Sequence, residues 1–408
     1  MRKLASILLH GRPLAYAVLA LALAGGAGLL FGSSPDVSAA TKFTVWAGGG
    51  NAGISIDAFR PGVININEGD SIEFNNPFEE IHTVTFLAGE KVPDFIVPVP
   101  QAKGPPKLQI NSKAANAVPA RGAATYDGSK WVNSGILAKG TPATSFTVSF
   151  PKGGSFEYIC IVHPFMTGTV NVLPSGTWVP AQADIDKRAT AALEAELKKA
   201  EGIAASQVGK KVANGWEVLT PGAPPGIAIQ RFSPSRLSIA VGETVTWKND
   251  NPGPPHTVTF GYTPQPTGFL SIEPAGGDNP PNLFLDQKVA FPAKPSPNYE
   301  GTGYYNSGLI LSGPEATGGT SFSLTFTKAG TYNYVCVLHL DQGMAGVVIV
   351  GDGGGAAGGG PGGAILPPNT GDAGLADNTS MTPWLLAAAV VLVVGLGGLG
   401  LAKVRMSR

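Results

Sequence analysis

Five histidines, two cysteines and five methionines are all that this 408-residue chain offers to chemistry needing an imidazole or a soft sulfur. His82, Cys160, His163 and Met166 form one set, and His256, Cys336, His339 and Met344 form a second. The remaining histidine is His10, and the remaining methionines are Met1, Met381 and Met406, all outside the two sets. In each set Cys, His and Met follow one another closely, while the other His stands 78 or 80 residues upstream. A loop between two strands can carry three of these side chains together. The fourth must be delivered by a distant strand.

A thiolate and two imidazoles in a trigonal arrangement, with a weak axial thioether, are the donors of a type 1 copper site. Thiolate suits Cu(I), and imidazole binds either oxidation state. Two cysteines in an exported chain would ordinarily read as a disulfide. A Cys160–Cys336 bridge, however, leaves the neighbouring His and Met of each set unexplained. Zinc fits less well, because structural zinc takes more Cys and His. Met166 and Met344 alone would read as core filler. Glu79 and Glu80, beside His82, read as solvated loop charges, with tuning of the site as the less favoured alternative.

The two sets lie in an internal repeat. Ile54-Ser55-Ile56-Asp57-Ala58-Phe59-Arg60-Pro61 aligns with Ile227-Ala228-Ile229-Gln230-Arg231-Phe232-Ser233-Pro234, an offset of 173. His82-Thr83-Val84-Thr85-Phe86 matches His256-Thr257-Val258-Thr259-Phe260, and Asn133-Ser134-Gly135 matches Asn306-Ser307-Gly308. Tyr158-Ile159-Cys160 matches Tyr334-Val335-Cys336 at an offset of 176. Two long copies mean domain duplication rather than a solenoid. Ile64, Ile66, Ile72, Phe74, Phe146, Val148 and Phe150 alternate with polar residues around Gly and Asp turns. Leu237, Ile239, Val241, Val245, Trp247, Phe322, Leu324 and Phe326 do the same in the second copy. Period-two alternation predicts half-buried antiparallel strands and an all-β sandwich or barrel in each copy.

Both copies resemble the cupredoxins, the plastocyanin/azurin family of blue copper proteins. The loop Cys160-Ile161-Val162-His163-Pro164-Phe165-Met166 is similar to the short amicyanin loop. The loop from Cys336 through His339 to Met344 has the plastocyanin spacing. The resemblance covers most of residues 41–174 and 213–351 and implies two tandem Greek-key β-sandwiches. It implies two type 1 copper ions and one-electron transfer. It makes the imidazole edges of His163 and His339 the electron ports, with Pro164 and Phe165 as an apolar docking rim at the first and Leu340 beside the second. Redox partner proteins, or components of a respiratory or photosynthetic chain, would dock there. Two departures stand out. The long His-to-Cys gaps put extra material at residues 87–132 and 261–305, read as loops over the site. Thr83 and Thr257 stand where several members carry a bracing Asn.

The flanks place the chain. Arg2, Lys3 and Arg12, an uncharged stretch at 13–34, and Val37-Ser38-Ala39-Ala40 read as an export signal over residues 1–40, with an uncleaved anchor as the alternative. Residues 384–402 carry no charge and would span about 28 Å as a transmembrane helix. Lys403, Arg405 and Arg408 follow, which puts the C-terminus inside and the repeats outside the cytoplasmic membrane. Residues 352–383 form a Gly/Pro-rich linker, in which Leu366-Pro367-Pro368-Asn369-Thr370-Gly371 resembles an LPxTG sorting signal with one extra residue. Either sortase-type processing or a plain membrane anchor tethers the protein to the cell surface. Between the copies, in the 175–212 linker, Ile185, Ala189, Leu193 and Leu197 predict a helix over 184–201, acid-first and base-last as the helix dipole prefers.

Equal numbers of acidic and basic residues, 28 each, argue against nucleic-acid binding. All four imidazoles of the repeats are used by the two sets. None remains for a catalytic type 2 or 3 copper, so the chain reads as an electron-transfer protein rather than an enzyme. The alternatives are a copper-buffering surface protein and a structural surface module, both without a redox partner.

Overall fold

The computed structural model describes residues 40–119, 123–213, 215–249, 253–277, 279–312 and 316–351. The expected export signal, the Gly/Pro linker with its sorting-like segment, and the expected membrane helix at 384–402 lie outside the described residues. Among those residues, no helix is long and apolar enough to cross a membrane.

Each repeat folds as two facing sheets. In the first, Ala124–Thr125, Ser145–Ser149, Ser71–Asn75, Lys42–Ala47 and Phe59–Arg60 lie in that order in one sheet. The opposite sheet runs Ala117–Val118, Val132–Ser134, Thr85–Phe86, Gly154–Ile159, Thr167–Leu173 and Val63–Asn67. The alternating residues named from the sequence point between the sheets. Ile64, Ile66, Ile72, Phe74, Val148 and Phe150 are buried there around Tyr158, whose ring meets Phe74 edge-on at 5.0 Å. The second repeat builds two similar sheets around Trp247, Phe260, Phe326 and Tyr334, with Lys211–Val212 as an edge strand and, among the described residues, no strand counterpart of Phe59–Arg60. Its Val241, expected on the same strand face, sits instead on the turn after Arg236–Ala240 and is exposed.

The sheets are mixed, not purely antiparallel. Lys42–Ala47 runs parallel to Ser71–Asn75, and Val63–Asn67 runs parallel to Thr167–Leu173. Alternation reports which face of a strand is buried, not the direction of its neighbour. These neighbours are distant in sequence, so local pattern carried no information about their sense.

The linker helix runs Gln182–Ser206, longer at both ends than 184–201. Gly202 does not stop it. Tertiary packing overrides the cost of about 1 kcal/mol for an interior glycine, with Ala200 fully buried just before it. Ile185 enters the first core, while Leu193, Leu197 and Ala200 pack on Ile54, Ile56 and Ile227. The helix therefore packs on both repeats.

The inserted segments form β-structure as well as loops. Ile96–Val99 with Lys107–Ile110 is one hairpin, and Leu270–Glu273 with Asn282–Leu285 is another. The hairpins join through Leu283 opposite Ile110 and Phe284 opposite Gln109, giving a four-stranded sheet shared by the repeats. Leu108, Ile110, Leu285, Leu309 and Leu311 are buried beneath it. Each such side chain contributes about 1.5–3 kcal/mol when withdrawn from water. A second shared sheet pairs Ile54–Ile56 with Ile227–Ile229.

Candidate metal centres

His82 is held in place by its backbone, which exchanges two hydrogen bonds with Leu137, at 3.0 and 2.8 Å. The side-chain amide of buried Asn76 donates to the carbonyls of Glu80 and Leu137, both at 2.7 Å, fixing the approach to the histidine. Asn249 does the same in the second repeat, donating to the carbonyls of Pro254 and Ile310. Cys160 follows the strand Gly154–Ile159, and Met166 precedes Thr167–Leu173. The loop between them is closed by the Cys160 N–H donating to the Met166 carbonyl at 2.9 Å and the Met166 N–H donating to the His163 carbonyl at 2.8 Å. The longer second loop closes alike, with the Cys336 N–H donating to the Met344 carbonyl at 2.9 Å.

Three donor atoms converge in each repeat. Cys160 Sγ lies 3.8 Å from both His82 Nδ1 and His163 Nδ1, and the two nitrogens are 3.2 Å apart. Cys336 Sγ lies 3.9 Å from His256 Nδ1 and 3.4 Å from His339 Nδ1, with the nitrogens 3.1 Å apart. A trigonal ion about 2.0–2.3 Å from imidazole nitrogen and thiolate sulfur needs donor separations of about 3.5–3.8 Å. Both triangles fit one ion with small adjustments. Met166 and Met344 are buried in the same cores as Cys160 and Cys336, and neither cysteine is in a disulfide.

The threonines take over the bracing. The Thr83 N–H donates to Cys160 Sγ at 3.3 Å, and Thr83 Oγ1 accepts from the Ile161 N–H at 2.8 Å. Thr257 repeats both contacts with Cys336 and Val337. Gly48 supplies room: at φ +86° it lies so close to the His82 ring that an added Cβ would stand 2.3 Å from Nε2.

Electrostatics prepare the donors for a cation. Burial holds His82 well below its ordinary pKa, helped by the His163 and Arg60 charges, so its ring is neutral. Burial likewise lowers His256 and His339. Burial works against the Cys336 thiolate, yet hydrogen bonds and charge from His256, with the N–H groups of Thr257 and His339, bring the thiol below its usual pKa. Burial opposes protonation of His163, but Asp57, Cys160 and Glu80 together raise it.

Asp57 and Gln230 were not singled out as site residues from the sequence. The signal available was an acidic residue aligned with a neutral one, among four unequal pairs in the eight-residue stretch. Asp57 Oδ1 lies 4.0 Å from His82 Nε2, and Asp57 Oδ2 lies 3.9 Å from His163 Nε2. Glu80 is not a solvated loop charge. It is 9% exposed, its Oε1 is 3.8 Å from His163 Nε2, and Gln230 of the other repeat donates to its Oε2. Glu79 does pair with Lys139 at the surface. His163 and His339 both open on one cleft between the repeats, whose walls include Pro164, Phe165 and Leu340. The His339 ring is buried at 6% exposure, so little of its edge is presented to solvent.

Parts of the chain are similar to known copper proteins. Residues 303–351 match the family described as copper binding proteins of the plastocyanin/azurin family. A chloroplastic plastocyanin of Silene latifolia subsp. alba is 32% identical over 134 residues, 33% of this chain and 59% of that relative's length. The plastocyanin of Sambucus nigra is 31% identical, over 33% of this chain and 98% of its own length. That of Scenedesmus fuscus is 31% identical, over 29% of this chain and 85% of its own. Among solved structures, the Cu(I) form of an amicyanin variant covers 35% of this chain and 87% of its own, at 24% identity and a TM-score of 0.19. With the Sambucus nigra and Scenedesmus fuscus plastocyanins matched over most of their length at 31% identity, the chain belongs to the plastocyanin/azurin family of copper-binding proteins.

Proposed function

We propose that the protein holds two copper ions, one per repeat, and passes single electrons outside the cytoplasmic membrane. The observation that carries the reading is the pair of matching Cys/His/His triangles, buried but for the partly exposed His163 and each built on a Cys–His–Met loop and one distant histidine. His82, Cys160 and His163, with Met166, would hold one ion, and His256, Cys336 and His339, with Met344, the other. Bound copper supplies a one-electron couple between Cu(I) and Cu(II).

The chain's own residues do the rest. Burial keeps water from the cysteine sulfurs, and the Thr83 and Thr257 N–H groups hold each sulfur in place. A site that is already shaped by its frame reorganises little when an electron moves. The loop imidazoles of both repeats open on one cleft, so we assign electron passage to that shared cleft and docking to Pro164, Phe165 and Leu340 at its rim. The uncharged stretch at 384–402 would tether the assembly to the membrane, or the sorting-like segment to the wall.

Purified full-length protein loaded with Cu(II) should bind two coppers and turn blue through thiolate-to-copper charge transfer. Colourless protein that retains two reactive thiols after loading overturns the reading. A blue protein that exchanges copper readily but is not reversibly reduced would favour copper buffering instead.

A further inference from the structure

The two centres occupy equivalent places in a repeat, yet their surroundings carry different charge. Asp57 aligns with Gln230, since 230 − 57 = 173. Glu80 corresponds to Pro254, because Asn76 donates to the Glu80 carbonyl just as Asn249 donates to that of Pro254. Each carboxylate of the first repeat is thus a neutral side chain in the second.

Both carboxylates sit against the outer nitrogens of the first pair of imidazoles. Asp57 reaches His82 Nε2 at 4.0 Å and His163 Nε2 at 3.9 Å, and Glu80 reaches His163 Nε2 at 3.8 Å. Asp57 Oδ1 and His82 Nε2 are buried with no hydrogen-bond partner, a gap that a small shift of either group would close. Carboxylates behind metal-bound imidazoles orient the ring and make it a stronger donor. The nearest cation, Arg60, is engaged by Glu196 at 2.8 Å and by the Gly48 carbonyl at 3.1 Å. Gln230 holds the Glu80 carboxylate from the second repeat, and Ser55 Oγ holds Gln230 in turn at 3.2 Å. The first centre is therefore completed by a residue of the other half.

We propose that Asp57 and Glu80 make the two centres unequal, setting the reduction potential of the first below that of the second. This rests on the reading that copper fills both clusters. Oxidised copper carries one more positive charge than reduced copper, so a fixed anion stabilises it more. In a buried site that interaction is weakly screened. The Glu80 charge also reaches His339, but Asp57 lies against the first ligand set alone and has only the neutral Gln230 at its matching place, which gives the difference its sign. An electron shared between the centres rests on the second.

The test is a spectroscopic redox titration of the full-length, copper-loaded protein, with Cys160→Ser and Cys336→Ser variants assigning each step to its centre. Two separate steps are expected, the lower one remaining in Cys336→Ser. Asp57→Asn should raise the lower step at least tenfold in the Cu(I)/Cu(II) ratio at fixed potential, 59 mV for a one-electron couple. It should also weaken Cu(II) binding more than Cu(I) binding in competition with chromogenic chelators. Where Asp57→Asn fails to load copper, Glu80→Gln decides alone, by the same shift in the same direction. Coincident steps in the unmodified protein, or a lower step that neither variant moves while two coppers stay bound, overturn the proposal. Failure to bind copper at all would instead refute the reading beneath it.

Discussion

Ser55 lies opposite Ala228 where Ile54–Ile56 pairs antiparallel with Ile227–Ile229, and the two residues hold the same position in their repeats, since 228 − 55 = 173. Gln109 faces Phe284 in the other shared sheet, and these are equivalent too. Each stands two residues before a helix N-cap, Asn111 in one repeat and Asp286 in the other. Where equivalent residues face one another, a two-fold axis passes between them. The repeats thus meet as the subunits of a symmetric dimer do, with one self-complementary patch used twice. The symmetry carries His163 and His339 to the same cleft.

If that patch holds the halves together, thinning it should loosen both. Ile54 is 1% exposed and packs with Ile56, Ala200 and the half-buried Leu193, Leu197 and Ile227. Ile54→Ala should cost about 2–5 kcal/mol, the range for large-to-small changes in a core. Urea denaturation reads the loss. Hydrogen exchange should rise at Ile227–Ile229 as well as at the mutated strand. Exchange confined to the first repeat would mean that the interface contributes little.

Thr83 and Thr257 are expected to act as braces. In Thr83→Val the buried Ile161 N–H loses its acceptor, at a cost of about 1–3 kcal/mol. The loop bearing Cys160 should then loosen, shifting the visible band of the first centre while leaving that of the second. Thr257→Val should do the converse. An unchanged spectrum with unchanged stability in both variants would remove the threonines from the site's frame.

Gly48→Ala tests whether backbone clearance is required for ligation. Its φ of +86° already disfavours a side chain, and the added Cβ meets His82 Nε2 at 2.3 Å. A left-handed backbone costs about 1–2 kcal/mol for an ordinary residue, and relief of the clash moves the imidazole. The expected outcome is a copper count falling from two to one, with Cys160 newly reactive toward a thiol reagent. Full loading with Cys160 protected would count against this role of the glycine.

The donor residues were legible because they are scarce and occur twice. Strand positions were legible because Ile64, Ile66, Ile72 and Phe74 alternate cleanly, a pattern set by burial on one face. Other features depended on distant partners. Glu80 looked solvated because its cover, Gln230, is 150 residues away. The hairpin Ile96–Val99 with Lys107–Ile110 is rich in Pro and polar residues and finds its pairing only when the second repeat presents Asn282–Leu285. His339 looked like an outward port because one loop alone cannot reveal how deeply its histidine is buried in the folded chain.

The metal-free protein should be acid-sensitive, and the sign follows from its imidazoles. Burial lowers His82, His256 and His339 below the ordinary value of 6.5. The unfolded chain therefore binds protons in a range where these three folded groups do not. Stability must fall as pH drops below about 6.5, by up to about 1.4 kcal/mol per pH unit for each imidazole kept neutral. His163 has the opposite sign. Its raised value contributes stability that is complete below 6.5 and is lost as pH climbs from there toward about 10, so it adds no slope on the acid side and the other three set it. Thermal melts between about pH 7 and 5 should show a steadily falling midpoint. Copper, by occupying the Nδ1 atoms, should protect the fold across the same range. A midpoint that stays level or rises on acidification would show that the buried rings take up protons in the folded state, contrary to their packing.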